Sequence, residues 1–359
     1  MRLYLILFLL MFCACSERDM SPVFNGDSVQ LKKTEVVGVL DTEIKSGKNL
    51  IWCSTLISAW KEIEKNITKK APILTEKNKL VDSLNDASDP SSYVPEEAVF
   101  ATAGLVKDGV IDKIRAGLAK KFPKKNMPNI SAPTPDSLVA YAYLKAGIQF
   151  TMPYHVNDEA FDFKDSLGKR TQVKSFGIFD TDDFSYSLAD QIDVLYARGL
   201  GEDKEYIVDL DDNSKKYQIV LARIKPQTSL NDAVKVINEK IKLNLWRKFS
   251  RGDTLIVPQT VWKINHSYSE LVGKRFNIDP LKGYPIFKAE QTIEFKLYNK
   301  GVEVKSEMTM EAKDASKPEE KFDGHYDFNK SFYILMRKKG EDQPFFVMYV
   351  DNAELLHSW

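Results

Sequence analysis

An α+β fold is what the sequence predicts, and three observations carry that reading. Helical patterns crowd the first third of the chain, and the rest is mostly strand-like with isolated helices. The 359 residues, 43% apolar and 28% charged, suffice for one large globular core. Neither an internal repeat nor a break between two domains interrupts residues 28–359, which are read as one large domain.

The N-terminus stands apart from that domain. Arg2 precedes about ten apolar residues, too short a run to span a bilayer and suited to the core of a signal peptide. Ala14 before Cys15 supplies the small residue that a lipoprotein signal peptidase needs. Residues 1–14 thus resemble a bacterial lipoprotein leader, with Cys15 as the lipid attachment site and residues 15–27 as a tether. An ordinary secretory signal cut nearby is the alternative. Cys13 leaves with the leader, so Cys53 alone remains as a thiol, inside an apolar run that marks it as a small buried hydrophobe.

The elements follow in order. NLIWCSTLISAWKEIEKNI reads as a buried strand and then a helix, since Leu56, Trp60, Ile63 and Ile67 recur at three- and four-residue steps. Residues 82–92, rich in Ser, Asp and Asn, read as a surface loop. VIDKIRAGLAKKFP is an amphipathic helix with Val110, Ile111, Ile114 and Leu118 on one face. Its Lys113, Arg115, Lys120 and Lys121 fit a solvated face better than a nucleic-acid surface. LVAYAYLKAGIQF, almost continuously apolar, reads as a central strand. YIVDLDDNSKKYQIVLARI is a hairpin, SLNDAVKVINEKIKLNLWRKF a helix and DTLIVPQTVWKI a strand. Near the C-terminus KAEQTIEFKLYNKGVEVKSEMTM turns at Gly301. A charged stretch follows, and then DFNKSFYILMRKKGEDQPFFVMYV.

Little here points to an enzyme. The 51 basic and 51 acidic side chains cancel, so no net field favours nucleic acid or anionic lipid as a generic partner. His155, His266, His325 and His357 have no metal-ligand spacing, and neither phosphate loop, nucleophile elbow nor dinucleotide fingerprint occurs. From Asp209 the letters suggest a calcium loop through Asp211 and Asn213. Ser214 stands where the turn glycine belongs and Val220 where the bidentate glutamate belongs, so a hairpin turn is the better reading. Asp180, Asp182 and Asp183 could pair for acid–base work, but clustered loop carboxylates are usually solvated. Arg251-Gly252-Asp253 matches an adhesion tripeptide by letters alone. No catalytic residue, cofactor or metal is expected.

Five segments, in order, carry a family resemblance. IVDLDDNSKKYQIVLARIKPQTSL resembles the paired strands of the serpin B sheet, where V-L-E-L, a short turn, M-V-I-I-L-P and a helix-opening S-L follow one another. NLIWCSTLIS is similar to the family's N-I-F-F-S-P-L-S-I, and LVAYAYLKAGIQFTMPY to its L-V-L-V-N-A-I-Y-F-K-G-x-W-x-x-P-F. VPQTVWKINHSYSEL resembles L-P-K-F-K-L-E-x-x-Y-D-L, and FNKSFYILMRKKGEDQPFFVMYV resembles F-N-K-P-F-L-F-L-I-R-x-x-x-T-x-x-I-L-F-M-G-K-V. The resemblance covers roughly residues 50–350, with residues 69–110 matching poorly. The family's Trp is absent near Gly147, and Phe150 is the nearest substitute.

The resemblance implies a serpin-like fold, three β-sheets surrounded by helices. It also implies a protease-facing loop, here about residues 302–325, that is cut and then inserts as a new strand of the largest sheet. Gly301-Val302-Glu303 matches the start of the family's hinge. Val304, Lys305 and Ser306 follow, where inhibitory members carry small residues. Alternation puts Val302, Val304, Ser306, Met308 and Met310 on one face of such a strand, and Glu303, Lys305, Glu307, Thr309 and Glu311 on the other. Bulky and β-branched side chains slow insertion, so inhibition is not expected. The candidate scissile region holds Lys313, Ala315, Ser316 and Lys317, the lysines suiting a trypsin-like pocket. The expected partners are a serine or cysteine protease and, through the N-terminal lipid, a membrane. The protein is then a monomer on the periplasmic or extracellular face of a bacterial envelope. The alternative is a binding module whose residues 291–311 form a fixed hairpin.

Overall fold

A computed structural model describes residues 21–123, 130, 134–179, 186–302 and 324–359. The chain opens with β1 (Phe24–Asp27), β2 (Thr34–Val37) and β3 (Asn49–Cys53), followed by α1 (Thr55–Ile63) and α2 (Lys79–Asp86). Next come β4 (Val99–Leu105), α3 (Val110–Lys121), β5 (Leu138–Leu144) and the two-residue β6 (Ile148–Gln149). β7 (His155–Val156), β8 (Phe161–Lys164), β9 (Arg170–Val173), β10 (Ser175–Ile178), α4 (Tyr186–Ala189) and β11 (Asp193–Arg198) continue the chain. Then follow β12 (Glu205–Asp209), β13 (Tyr217–Arg223), α5 (Leu230–Lys242), β14 (Arg247–Lys248), β15 (Thr254–Pro258) and β16 (Thr260–Ser267). The last strands are β17 (Glu290–Leu297), β18 (Gly301–Val302), β19 (His325–Asp327), β20 (Phe332–Lys338) and β21 (Pro344–Val350).

The core is an eight-stranded sheet ordered β14-β11-β12-β13-β20-β21-β3-β2. Every residue of β3, β13 and β21 is buried, because both faces of this sheet are covered. Ile219, Leu221, Ile334 and Met348 fill the core on one face. Val220, Ala222, Leu335 and Val347 meet α5 and α1 on the other. Burial on both sides explains why these strands read as unbroken apolar runs rather than alternating ones. α5 supplies Leu230, Ala233, Val234 and Ile237 to that contact, and Ser229 caps it by accepting from Asp232 N at 3.1 Å.

A four-stranded sheet, β19-β15-β10-β7, packs on the first core face. A Cβ on Gly177 of β10 would lie 1.7 Å from Leu255 O of β15, so only glycine lets these strands approach. A three-stranded sheet β1-β16-β17, the pair β4-β5, the pair β18-β6 and the hairpin β8-β9 complete the strands. The chain is therefore α+β, with several sheets and helices around them.

Four expectations need correction. Residues 82–92 were expected to be a loop, yet α2 runs to Asp86, capped by Asn78, whose side chain accepts from Leu80 N and Val81 N. DTLIVPQTVWKI is two strands in different sheets, parted at the buried Gln259. The stretch LVAYAYL, expected to be a central strand, is half-buried β5, laddered to β4. The stretch through residue 27 contains β1, which pairs in parallel with β16 from Phe24↔Trp262 to Asp27↔Asn265, so it belongs to the fold. Among the described residues no helix is long and apolar enough to cross a membrane.

Candidate functional site

Between β5 and β17 runs a cleft of about 840 Å³. β5 is laddered to β4 and β17 to β16, and the cleft separates their other edges. α1 lies beneath it, contributing Leu56, Ala59, Trp60 and Ile63, with Cys53, Met336 and Phe346 continuing the apolar floor. β17 alternates strictly. Gln291, Ile293, Phe295 and Leu297 are buried, whereas Glu290, Thr292 and Glu294 are exposed. β5 splits the same way by contact. Leu138, Ala140 and Leu144 pack toward the main cores, and Val139, Tyr141 and Tyr143 toward α3.

Gln291 ties β17 to the start of α1. Its Nε2 donates to Cys53 O at 3.3 Å and to Thr55 Oγ1, and its Oε1 accepts from Tyr268 OH at 2.6 Å. Cys53 is a free buried thiol that burial pushes above its ordinary pKa, which disfavours the reactive thiolate.

At the upper end of the cleft the chain turns back. Gly301 N donates to Tyr298 O at 3.1 Å, and β18 pairs antiparallel with β6 through Gly301↔Gln149 and Val302↔Ile148. Gly301 has φ +119°, and a Cβ there would meet Ile148 O at 2.4 Å and Phe150 N at 2.7 Å. Glycine is required by both conformation and space. The reversal carries the chain from β17 onto β6.

Residues 150–154 hold this turn against the molecule. Phe150 N donates to Lys300 O at 3.2 Å and Tyr154 N to Asn299 O at 2.8 Å. Phe150, the aromatic at the expected tryptophan's place, is buried edge-on against Tyr154 at 4.9 Å. Below them Tyr154 OH donates to Leu210 O at 2.7 Å, and Met152 N donates to Gln191 Oε1 at 2.9 Å. The β12–β13 turn thereby joins the same network.

Asp209 and Asp211, where that turn begins, are buried. Asp209 Oδ2 accepts from Gln218 Nε2 at 2.8 Å and lies 3.9 Å from Lys339 Nζ. Asp193, Asp209 and Asp211 are each pushed up to about 6, chiefly by burial. Their neighbours include Lys339, Gln218 and Asp212, and no group of metal-ligating side chains forms among the described residues.

Of the residues singled out from sequence, Gly301 and Val302 form β18, paired with β6. Glu303, Val304, Lys305, Ser306, Lys313, Ala315, Ser316 and Lys317 lie outside the described residues, as do Cys15, Asp180, Asp182 and Asp183. The histidines stay apart: His155 is on β7, His266 bonds Ser28 Oγ at 2.7 Å, His325 bonds Thr254 Oγ1 at 2.9 Å, and His357 follows the last helical turn. Asp253 of the adhesion-like tripeptide is paired with Arg247 at 2.9 Å. Gln291, Gln191, Tyr154 and the β5 edge went unnoticed in the sequence. Their partners lie tens to hundreds of residues away, and no local pattern marks them.

No protein-family model matches the chain, and no curated protein matches it significantly. Solved serpin structures are similar to it. Thyroxine-binding globulin in complex with thyroxine matches at TM-score 0.48 and 14% identity, covering 85% of this chain and 93% of that one. Native protease nexin-1 with heparin matches at TM-score 0.48 and 9% identity, covering 85% and 92%. A serpin from the trematode Schistosoma haematobium matches at TM-score 0.47 and 12% identity, covering 85% and 94%. At TM-scores below 0.5 these likenesses decide neither the fold nor the role of this chain.

Proposed function

We propose that the protein is a lipid-anchored envelope protein that offers the loop after Val302 to a protease and takes up the cut loop between β5 and β17. The cleft carries this reading, because two registers that frame it agree. Continuing Gly301↔Gln149 and Val302↔Ile148 without a bulge sets residues 306–312 opposite β5. Continuing Tyr298↔Gly301 sets residues 302–309 opposite β17. Either way Val304, Ser306 and Met308 fall on the core side, level with Phe295, Ile293 and Gln291. Glu303 and Lys305 then stand on the solvent side opposite Lys296 and Glu294, two opposite-charge cross-strand pairs. Seven extended residues span ~23 Å, the length of β5.

Insertion of this segment is favourable but slow. Val304 and Lys305 must be ordered between two strands where a small residue would slip. A serine or cysteine protease therefore cuts the loop near Ala315-Ser316, or after Lys313 or Lys317, and leaves before it is trapped. The role is protease-directed and non-catalytic, with inhibition not favoured. The alternative is a fixed hairpin at 291–311 in a binding module, and the tight Tyr298–Gly301 turn is the observation in its favour. Incubation with a panel of serine and cysteine proteases separates them. Cleavage within residues 312–320 without an SDS-resistant complex is expected. A stable complex would establish trapping, and resistance of the loop to every protease would overturn the proposal.

A further inference from the structure

The root of the N-terminal tether and a basic face of the domain lie together. Val23 N donates to Val261 O at 2.8 Å, so the chain enters the fold at the first residues of β16. Just before them Gln259 N donates to Lys174 O at 2.9 Å, and His357 N donates to Gln259 O at 2.9 Å. Trp359 N reaches Gln172 O of β9 at 3.2 Å. The β8–β9 hairpin that follows this path bears Lys164, Lys169 and Arg170 around Leu167, which is 67% exposed at its tip; Trp359 is 52% exposed. Ser166 beside that tip bonds Ser46 Oγ at 2.7 Å, bringing Lys45 and Lys48 alongside.

The acids within this surface are committed inward. Asp165 is buried and faces Lys33 at 3.9 Å, Asp351 is buried among Ser166, Ser331 and Gly47, and Glu354 accepts from the amides of Lys32 and Lys33. Asp162 offsets Arg170 at 3.4 Å, and Glu35 offsets Lys48 at 3.6 Å. Two groups register the excess positive field. Burial and then Lys164 and Arg170 hold Lys330 below the usual lysine range, and burial and then Lys174 hold His357 below the usual histidine range.

We infer that this face, the β8–β9 hairpin with its Lys164, Lys169 and Arg170 around Leu167 and the adjacent Lys174 and Trp359, docks on an anionic lipid surface. Charge complementarity selects phosphate headgroups, and Leu167 and Trp359 supply an aliphatic and an interfacial aromatic contact. Chain length argues the same way and rests on the lipid-anchor reading. From Cys15 to Val23 is eight residues, at most ~29 Å of extended chain, so an anchored domain keeps this face near the headgroups. Docking would hold the β5–β17 cleft in one orientation to the membrane.

Vesicle co-sedimentation of the mature chain, made without lipid, tests the face independently of the anchor. The chain should bind phosphatidylcholine vesicles containing phosphatidylglycerol, lose binding at raised salt, and ignore pure phosphatidylcholine. Lys164→Glu/Lys169→Glu/Arg170→Glu should weaken binding about a hundredfold, with its thermal unfolding unchanged. Leu167→Ser should weaken it less. Lys113→Glu/Arg115→Glu/Lys120→Glu on α3 should leave it intact. Equal binding to both vesicle types, or equal loss in the hairpin and α3 variants, would overturn the inference. The mass of the N-terminal peptide reads acylation separately. A non-acylated chain that still binds phosphatidylglycerol would sink the anchor and keep this face, and an acylated chain indifferent to headgroup charge would do the reverse.

Discussion

At Gly301 the backbone holds φ +119° with the β6 backbone within 3 Å of any added Cβ. Gly301→Ala should therefore cost about 1–3 kcal/mol in urea unfolding, and a change under half a kcal/mol would mean that the turn is not tightly seated. Asp193, Asp209 and Asp211 make a second residue-level case. Their folded values near 6 lie above the ordinary carboxylate value of 3.8, so the native state binds more protons than the unfolded one in between. The contribution of these three groups to stability falls as pH rises from about 4 to about 6. Asp209→Asn should therefore lose less melting temperature, or gain more, than the parent chain between pH 5 and pH 7; an identical pH dependence in the two would refute the assignment. Letters alone disposed of the calcium-loop reading at Asp209, because Ser214 replaces the turn glycine and Val220 the bidentate glutamate. They could not reveal that the carboxylate is buried, since its partners are Gln218 and the distant Lys339.

Strands and helices divide by how local their signals are. β12, β13, β20 and β21 are legible because burial on both faces leaves long apolar runs, and α1, α3 and α5 because their apolar residues repeat at helical steps. α2 escaped because it has only eight residues, with Leu80, Val81 and Leu84 as its apolar side chains, and its cap Asn78 lies outside the polar run. β1 escaped because FNGD has one apolar residue and gains its pairing from β16, more than two hundred residues on. The cleft was illegible for the same reason: a gap between β5 and β17 is a relation between elements and leaves no trace in either. Two predictions belong at this scale. Val304→Ala/Lys305→Ala should raise the yield of SDS-resistant protease complex if slow strand entry is the defect; an unchanged yield would point to the fixed hairpin. Lys296→Glu should reduce the stability gained on loop cleavage, and Glu303→Lys added to it should restore part of that gain, by roughly the 0.2–1 kcal/mol of a cross-strand pair. Absence of restoration would mean that the proposed register is wrong.

For the molecule as a whole, one sheet half on each side of a cleft makes the unpaired count of strands the stored quantity. Closing the cleft with a chain segment, as proposed, would add two ladders and bury side chains over α1 without disturbing the eight-stranded core. The proposed tether would add a location to that device. Cys15→Ala, expressed with its leader, should move the protein from the membrane fraction to one released by a salt wash, and retention after the wash would contradict the lipid anchor. The most direct measurement is the melting temperature of the full chain before and after a protease nick within residues 312–320, with the two fragments kept together. The account predicts a large upward shift, abolished by Gly301→Ala. An unchanged melting temperature would contradict it.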